Sequence, residues 1–126
     1  MLKIAVDYDQ TLVFNDDYGE TVAFNDSLIA ILKERKEKGD KLILFTCREG
    51  EWLQEAIKEM EGKGLTFDSI NEDLPEVINK TRKPKYDILI DDRAIPPYNY
   101  FTADVLEQYA KAIKSWNFKL GSQTSK

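Results

Sequence analysis

The sequence contains no histidine and a single cysteine, Cys47, among its 126 residues. The absence of histidine excludes Ser-His-Asp catalysis, Cys-His catalysis and every histidine-ligated metal site. One cysteine cannot form an intrachain disulfide or a cysteine-based zinc site, and we expect Cys47 to be a small buried hydrophobic residue. Any catalysis would therefore depend on carboxylates, lysine, arginine, hydroxyl groups or a bound metal ion.

The chain also lacks long apolar runs and an excess of positive charge. No run approaches the ~20 apolar residues that span a bilayer, and no export signal is recognisable after Met1. The 18 basic and 23 acidic residues leave a net charge of −5, which does not favour non-specific binding to nucleic acids or membranes. We therefore expect one cytoplasmic domain over residues 1–120 without a membrane partner, followed by a flexible tail at 121–126.

Short apolar runs alternate with segments of helical spacing along the chain. Residues 2–6, 41–45 and 86–90 are each typical of a buried parallel strand. Helices are predicted over 25–39, 51–62 and 102–116, with Ile31 and Trp52 among their apolar residues. Shorter predicted elements are a hairpin or flap over 13–24, a strand at 67–70 and a helix that begins at 73–76. This alternation predicts an α/β fold with a mostly parallel central sheet.

Polar side chains follow each of the three long apolar runs. In chain order these are Asp7 with Asp9, Thr46 with Arg48, and Asp91 with Asp92. Because the carboxyl ends of parallel strands meet at one sheet edge, where α/β proteins bind ligands, we expect these side chains to lie close together. Carboxylates without compensation would repel one another. A divalent cation would remove that repulsion, and oxygen-only ligands favour Mg²⁺.

The spacing Asp-x-Asp-x-Thr at positions 7, 9 and 11 is informative about chemistry. Of two carboxylates two residues apart after a strand, one can attack a phosphorus atom while the other moves a proton. Thr46 offers a hydroxyl and a backbone N–H to a phosphate group. Arg48 could bind phosphate with two donors, or it could instead pair with Glu51 or Glu55 on the following helix.

These motifs resemble those of the haloacid dehalogenase (HAD) superfamily of phosphohydrolases. The first HAD motif, hhhhDxDxT, is matched by residues 4–11, the second by the strand that ends at Thr46, and the fourth by the acidic pair at 91–92. The third motif is a lysine upstream of that pair. The resemblance extends over about residues 2–92. It implies a three-layer α/β/α sandwich with a Rossmann-like central sheet.

The resemblance also implies a role for each matched residue. Asp7 would be the nucleophile that forms an aspartyl-phosphate. Asp9 would protonate the leaving group and then activate water, and Thr46 would hold the phosphoryl oxygens. Asp91 would hold Mg²⁺ together with Asp7 and the backbone carbonyl of Asp9, and Asp92 would assist directly or through water.

The catalytic lysine and the cap are the two points where the match is incomplete. Lys83 is favoured as the catalytic and phosphate-binding lysine, because the small members of the superfamily place a basic residue just before the last strand. Lys85 and Lys80 stay open as alternatives. Too few residues separate the first two motifs for a cap domain, so the resemblance implies a capless, open site. Such a site suits a bulky substrate or coverage by another subunit.

The sequence thus predicts a Mg²⁺-dependent phosphatase that acts on an unidentified phosphomonoester. The substrate would be a small-molecule phosphate ester, a nucleotide included, or the phosphorylated end of a larger molecule. Three alternatives are a receiver-type phospho-acceptor domain, a HAD-like scaffold that binds or regulates a partner without catalysis, and a metal-dependent nuclease. A receiver has its phospho-acceptor near the middle of the chain, where this sequence has Thr46. The acidic net charge counts against a nuclease.

Overall fold

The computed structural model describes residues 1–93, 103–104, 106–108 and 110–112. In chain order, the elements are β1 (Lys3–Val6), β2 (Val13–Asn15), β3 (Thr21–Phe24), α1 (Asp26–Glu37), β4 (Lys41–Leu44), α2 (Gly50–Gly62), β5 (Ser69–Ile70) and β6 (Ile88–Ile90). The described residues among 103–112 are helical, within the last predicted helix. The end of that predicted helix at 113–116 and the predicted tail at 121–126 lie outside the described residues. None of the helices among the described residues combines the length and the apolar character that a membrane span requires.

Four strands form a parallel sheet in the order β5-β4-β1-β6. β1 lies inside the sheet, where Val6 is opposite Leu44 of β4 on one side and Ile90 of β6 on the other. Parallel neighbours require long crossover connections, which contain α1 between β1 and β4 and α2 between β4 and β5. The predicted α/β fold with a mostly parallel sheet is confirmed, with strands one or two residues shorter than the apolar runs.

Apolar side chains cover both faces of the sheet. Ile4 and Val6 of β1 pack in a cluster with Ile29 of α1 and Met60 of α2. Ala5, which points to the opposite face, lies in a second cluster whose other buried members are Ile43 and Leu74. Burial on both faces explains why the strand sequences are continuous apolar runs rather than alternating ones.

Local sequence signals set the ends of α1 and the turn of the β2–β3 hairpin. The Asn25 side chain accepts a hydrogen bond from the backbone N–H of Leu28 and so caps the start of α1. Gly39 follows the helix with φ of 98°, a conformation that favours glycine. Gly19 has φ of 81° in the turn between β2 and β3, which pair antiparallel as predicted.

Two predictions of local structure are wrong. Residues 73–76 do not form a helix: Asp73 is fully buried there, and its carboxylate accepts the backbone N–H of Lys85 at 2.8 Å. This long-range hydrogen bond holds the segment in an irregular conformation. Ile31 and Trp52, expected on the apolar helix faces, are 55% and 45% exposed. Neither lies among the buried residues of its helix, which are Ile29 and Leu32 in α1 and Ala56 and Met60 in α2.

The two isoleucines of α1 allow a matched test of this packing. We expect Ile29→Ala, at a residue that is 3% exposed, to lower the free energy of unfolding by about 2–5 kcal/mol, because it leaves a cavity against the sheet. Ile31→Ala, at an exposed residue of the same helix, should change it by less than about 0.5 kcal/mol. Urea unfolding of both variants measures the difference. Equal losses would contradict the packing of Ile29 against the sheet.

Candidate functional site

The chain turns sharply after β1 and brings two polar side chains together. The carbonyl oxygen of Tyr8 accepts the backbone N–H groups of Thr11 (3.2 Å) and Leu12 (2.9 Å), and Gln10 has φ of 62° within this turn. As a result, the Thr11 hydroxyl donates a hydrogen bond to Asp7 Oδ2 at 3.3 Å. Asp7 is thus held at the sheet edge by its own loop.

The neighbouring strand β6 brings two further carboxylates to Asp7. The backbone N–H of Asp7 donates to the carbonyl of Ile90 at 2.9 Å, which places Asp7 beside the acidic pair that follows β6. One carboxylate oxygen from each of Asp7, Asp91 and Asp92 lies within 4.8 Å of the other two. We call these three residues the carboxylate cluster. Oxygen atoms at this spacing could hold a divalent cation.

The carboxylate cluster is electrostatically costly. Burial is the main reason that the pKa of Asp7 is raised to about 7, and the nearby Asp91 and Asp92 also raise it. A hydrogen bond from the Tyr8 backbone acts in the opposite direction. Burial raises the pKa of Asp92 as well. The fold therefore holds these groups together against their preference for water and for separation.

A cleft of about 310 Å³ opens beside the carboxylate cluster. It is lined by Asp7, Phe45, Thr46, Cys47, Asn71 and Asp91. Thr46 thus lies where the strand-end pattern predicts, next to two of the three carboxylates. Cys47 is exposed rather than buried, contrary to the expectation, because it follows β4 and leaves the sheet at the cleft. The cleft combines carboxylates, a hydroxyl and an apolar ring.

Asn71 is a cleft residue that the sequence analysis missed. Its Oδ1 accepts the backbone N–H of Thr46 at 2.8 Å, and its own N–H donates to the carbonyl of Leu44 at 2.8 Å. Asn71 has φ of 55° and directly follows β5. The Thr46 N–H, expected to be available to a ligand, is therefore already used, which leaves its hydroxyl as the donor. The sequence feature that could have identified Asn71 is its place as the polar residue directly after the short strand β5.

Asp9 is not a member of the carboxylate cluster, and its carboxylate is instead held by Arg48 and Asn15. Its Oδ1 accepts from Arg48 Nη2 at 2.7 Å, and its Oδ2 accepts from Arg48 Nε at 3.0 Å. The side-chain amide of Asn15, in β2, also donates to Asp9. Asp7 and Asp9 thus have opposite surroundings: carboxylates surround the first, and a guanidinium holds the second.

Arg48 is a buried cation with a different partner from those that were expected. Its side chain is 2% exposed and lies between the rings of Tyr8 and Trp52, with centroids 4.7 and 4.6 Å from the guanidinium carbon. It pairs with Asp9 and not with Glu51 or Glu55. Trp52 is therefore a cover over this cation rather than a core residue, which explains its exposure.

Two of the three candidate lysines line a different cavity. Lys83 and Lys85, with Thr81, Pro84 and Tyr86, line a space of about 370 Å³ before β6. Lys80, Lys83 and Lys85 are all exposed. Within residues 1–93, no ion pair joins these lysines to a carboxylate. The assignment of a catalytic lysine stays a prediction.

Comparison with known proteins identifies a relative of known structure. No family model matches the chain, and no curated protein matches it significantly. A solved structure of a conserved protein coded by a locus from Bacteroides thetaiotaomicron is 35% identical to it and superposes with a TM-score of 0.67. The match covers 85% of this chain and 91% of that protein.

The raised pKa of Asp7 predicts how stability depends on pH. A carboxyl group whose pKa rises from 3.8 to about 7 on folding stabilises the protein most below pH 3.8, and this contribution is lost as the pH rises towards 7. We therefore expect Asp7→Asn to raise Tm by about 3 °C or more at pH 8 in chelator and to leave it unchanged at pH 3.5. Asp17→Asn, at an exposed hairpin residue, is the charge-matched control. If Asp7→Asn raised Tm equally at both pH values, ionisation of Asp7 could not be the cause of the rise.

Proposed function

We propose that this chain, which belongs to the same family as the conserved Bacteroides thetaiotaomicron protein, is a Mg²⁺-dependent phosphohydrolase of the HAD type. The observation that supports the proposal is the carboxylate cluster, formed where β1 and β6 end, with Thr46 beside it after β4. The order of these residues along the chain also resembles the HAD motifs. The proposal includes the three-layer α/β/α arrangement and the absence of a cap domain that this resemblance implies.

The donor set of the carboxylate cluster fits Mg²⁺. All three side chains offer oxygen, the ligand atom that Mg²⁺ prefers. The raised pKa of Asp7 reflects a burial and like-charge cost that a bound cation would offset. Asp7, Asp91 and Asp92 would hold the ion together with the backbone carbonyl of Asp9. When bound, Mg²⁺ would supply charge stabilisation for a transferring phosphoryl group.

In the proposed reaction, Asp7 is the nucleophile. One of its carboxylate oxygens attacks the phosphorus of a phosphomonoester, the bond to the leaving oxygen breaks, and Asp9 supplies a proton to that oxygen. Water then attacks the aspartyl-phosphate, its proton passes to Asp9, and inorganic phosphate leaves Asp7. Thr11 orients the Asp7 carboxylate by its hydrogen bond, and the Thr46 hydroxyl holds a phosphoryl oxygen.

The open cleft indicates the substrate class only broadly. A small-molecule phosphate ester, a nucleotide included, or the phosphorylated end of a larger molecule fits a site without a cap. Lys83 remains the favoured phosphate-binding lysine in this proposal, with Lys85 and Lys80 as alternatives.

Hydrolysis of p-nitrophenyl phosphate tests the proposal directly. We expect Mg²⁺-dependent phosphate release that chelator abolishes, and a loss of about 10³-fold or more in Asp7→Asn, because this variant removes the nucleophile. Asp17→Asn, which removes a carboxylate from the hairpin turn, should retain full activity. Turnover that survives in Asp7→Asn would contradict the nucleophile assignment.

Metal binding can be measured without turnover. Mg²⁺ should raise Tm of the parent chain, because a ligand that binds only the folded state stabilises it. Asp91→Asn should lose most of this shift, whereas Asp17→Asn should keep it. A Mg²⁺ shift without phosphate release from any of a panel of phosphate esters would favour the non-catalytic scaffold. A stable phospho-adduct without turnover would favour the receiver-type domain.

A further inference from the structure

Arg48 is buried, and each of its three guanidinium nitrogens has a hydrogen-bond partner. Its guanidinium lies between two aromatic rings, Nη1 donates to the carbonyl of Trp52 at 3.3 Å, and Nε and Nη2 donate to Asp9. Burial of an unpaired cation would be very costly, so the bidentate pair with Asp9 is a condition for this placement. With 2% of its side chain exposed, Arg48 presents almost no surface to a ligand in the cleft.

Residues from different parts of the fold hold the Asp9 carboxylate in place. Arg48 precedes α2, and Asn15 in β2 donates to Asp9 from the hairpin. A second link joins the hairpin to α2: Glu59 accepts from the Tyr8 hydroxyl at 2.9 Å and from the Thr21 hydroxyl at 3.1 Å. Asp9 is therefore an acceptor held by two other parts of the fold, the β2–β3 hairpin and the segment before α2.

We propose that Arg48 is a positioning residue that holds Asp9 for its part in hydrolysis of the aspartyl-phosphate, and that Arg48 is not a phosphate ligand. This inference rests on the proposed function and revises the expectation that Arg48 contacts phosphate. In the step concerned, a water oxygen bonds to phosphorus while the bond from phosphorus to the Asp7 oxygen breaks. The Asp7 carboxylate keeps the electron pair, and the water proton passes to Asp9.

This role predicts a specific kinetic signature. The p-nitrophenolate group leaves with little help from a proton donor, so the first chemical step should tolerate a misplaced Asp9. The second step should not, because it needs a positioned base, and such a base contributes about 10²–10⁴-fold. When only the second step slows, kcat and KM fall together and kcat/KM is retained. Loss of a phosphate ligand instead raises KM and lowers kcat/KM.

The test compares Arg48→Lys with the parent chain on p-nitrophenyl phosphate and Mg²⁺. We expect kcat to fall about 10-fold or more, kcat/KM to stay within about 2-fold, and a burst of nitrophenolate of nearly one per protein molecule. Lys58→Met is the matched control. Lys58 and Arg48 both line a second cavity of about 310 Å³, which lies between the hairpin and α2 and is distinct from the cleft. This variant removes a cation from that cavity and should behave as the parent does. Asn15→Ser removes the other hydrogen bond to Asp9, keeps Arg48, and should shift the kinetics in the same direction. It serves as the test variant if Tm shows that Arg48→Lys is unfolded.

Each other outcome overturns a distinct claim. A raised KM without a burst would make Arg48 a phosphate ligand, and unchanged kinetics in a folded variant would leave it no role in turnover. Either result overturns the inference and leaves the proposed function standing. No Mg²⁺-dependent release by the parent from any phosphate ester tested would overturn the proposed function, and this role of Arg48 with it.

Discussion

The structure depends above all on the parallel pairing of β1 between β4 and β6. Val6 is opposite Leu44 on one side and Ile90 on the other, and Asp7 continues the ladder by donating its N–H to Ile90. Because parallel strands that pair in this register end at the same level, the polar residues after all three meet at one edge. Apolar packing on both faces of β1 supports this arrangement, since it buries the strand from both sides.

That edge holds two carboxylates, two residues apart, in opposite electrostatic settings. Asp7 points to Asp91 and Asp92, whereas Asp9 points to a buried guanidinium. Pairs of acidic groups with contrasting surroundings are the usual basis on which one fold separates a nucleophile from a proton carrier. In the proposed phosphohydrolase, the carboxylate cluster would bind the cation, and Arg48 would position the Asp9 carboxylate for proton transfer.

Much of the fold and part of the candidate site could be predicted from local patterns. The apolar runs indicate β1, β4 and β6, and Asn25 and Gly39 bound α1, because these signals depend on a few neighbouring residues. Asn71 was missed because the strand predicted at 67–70 is too short to count among the long apolar runs whose ends were expected to form the site. The turn at 73–76 could not be predicted either, since it depends on a hydrogen bond from the backbone of Lys85 to Asp73.

The α/β class, the alternation of the long strands with helices, and the set of acidic residues at the strand ends can all be inferred from the sequence alone. Each of these follows from residue type and spacing along a short segment. Which side chains face one another depends on the tertiary structure. It pairs Arg48 with Asp9, 39 positions earlier, and covers it with Trp52, so that Arg48 does not pair with Glu51 or Glu55 and Trp52 is not a core residue. The partner of a long side chain is determined by which groups lie near it in the folded protein, and spacing along the chain does not contain that information.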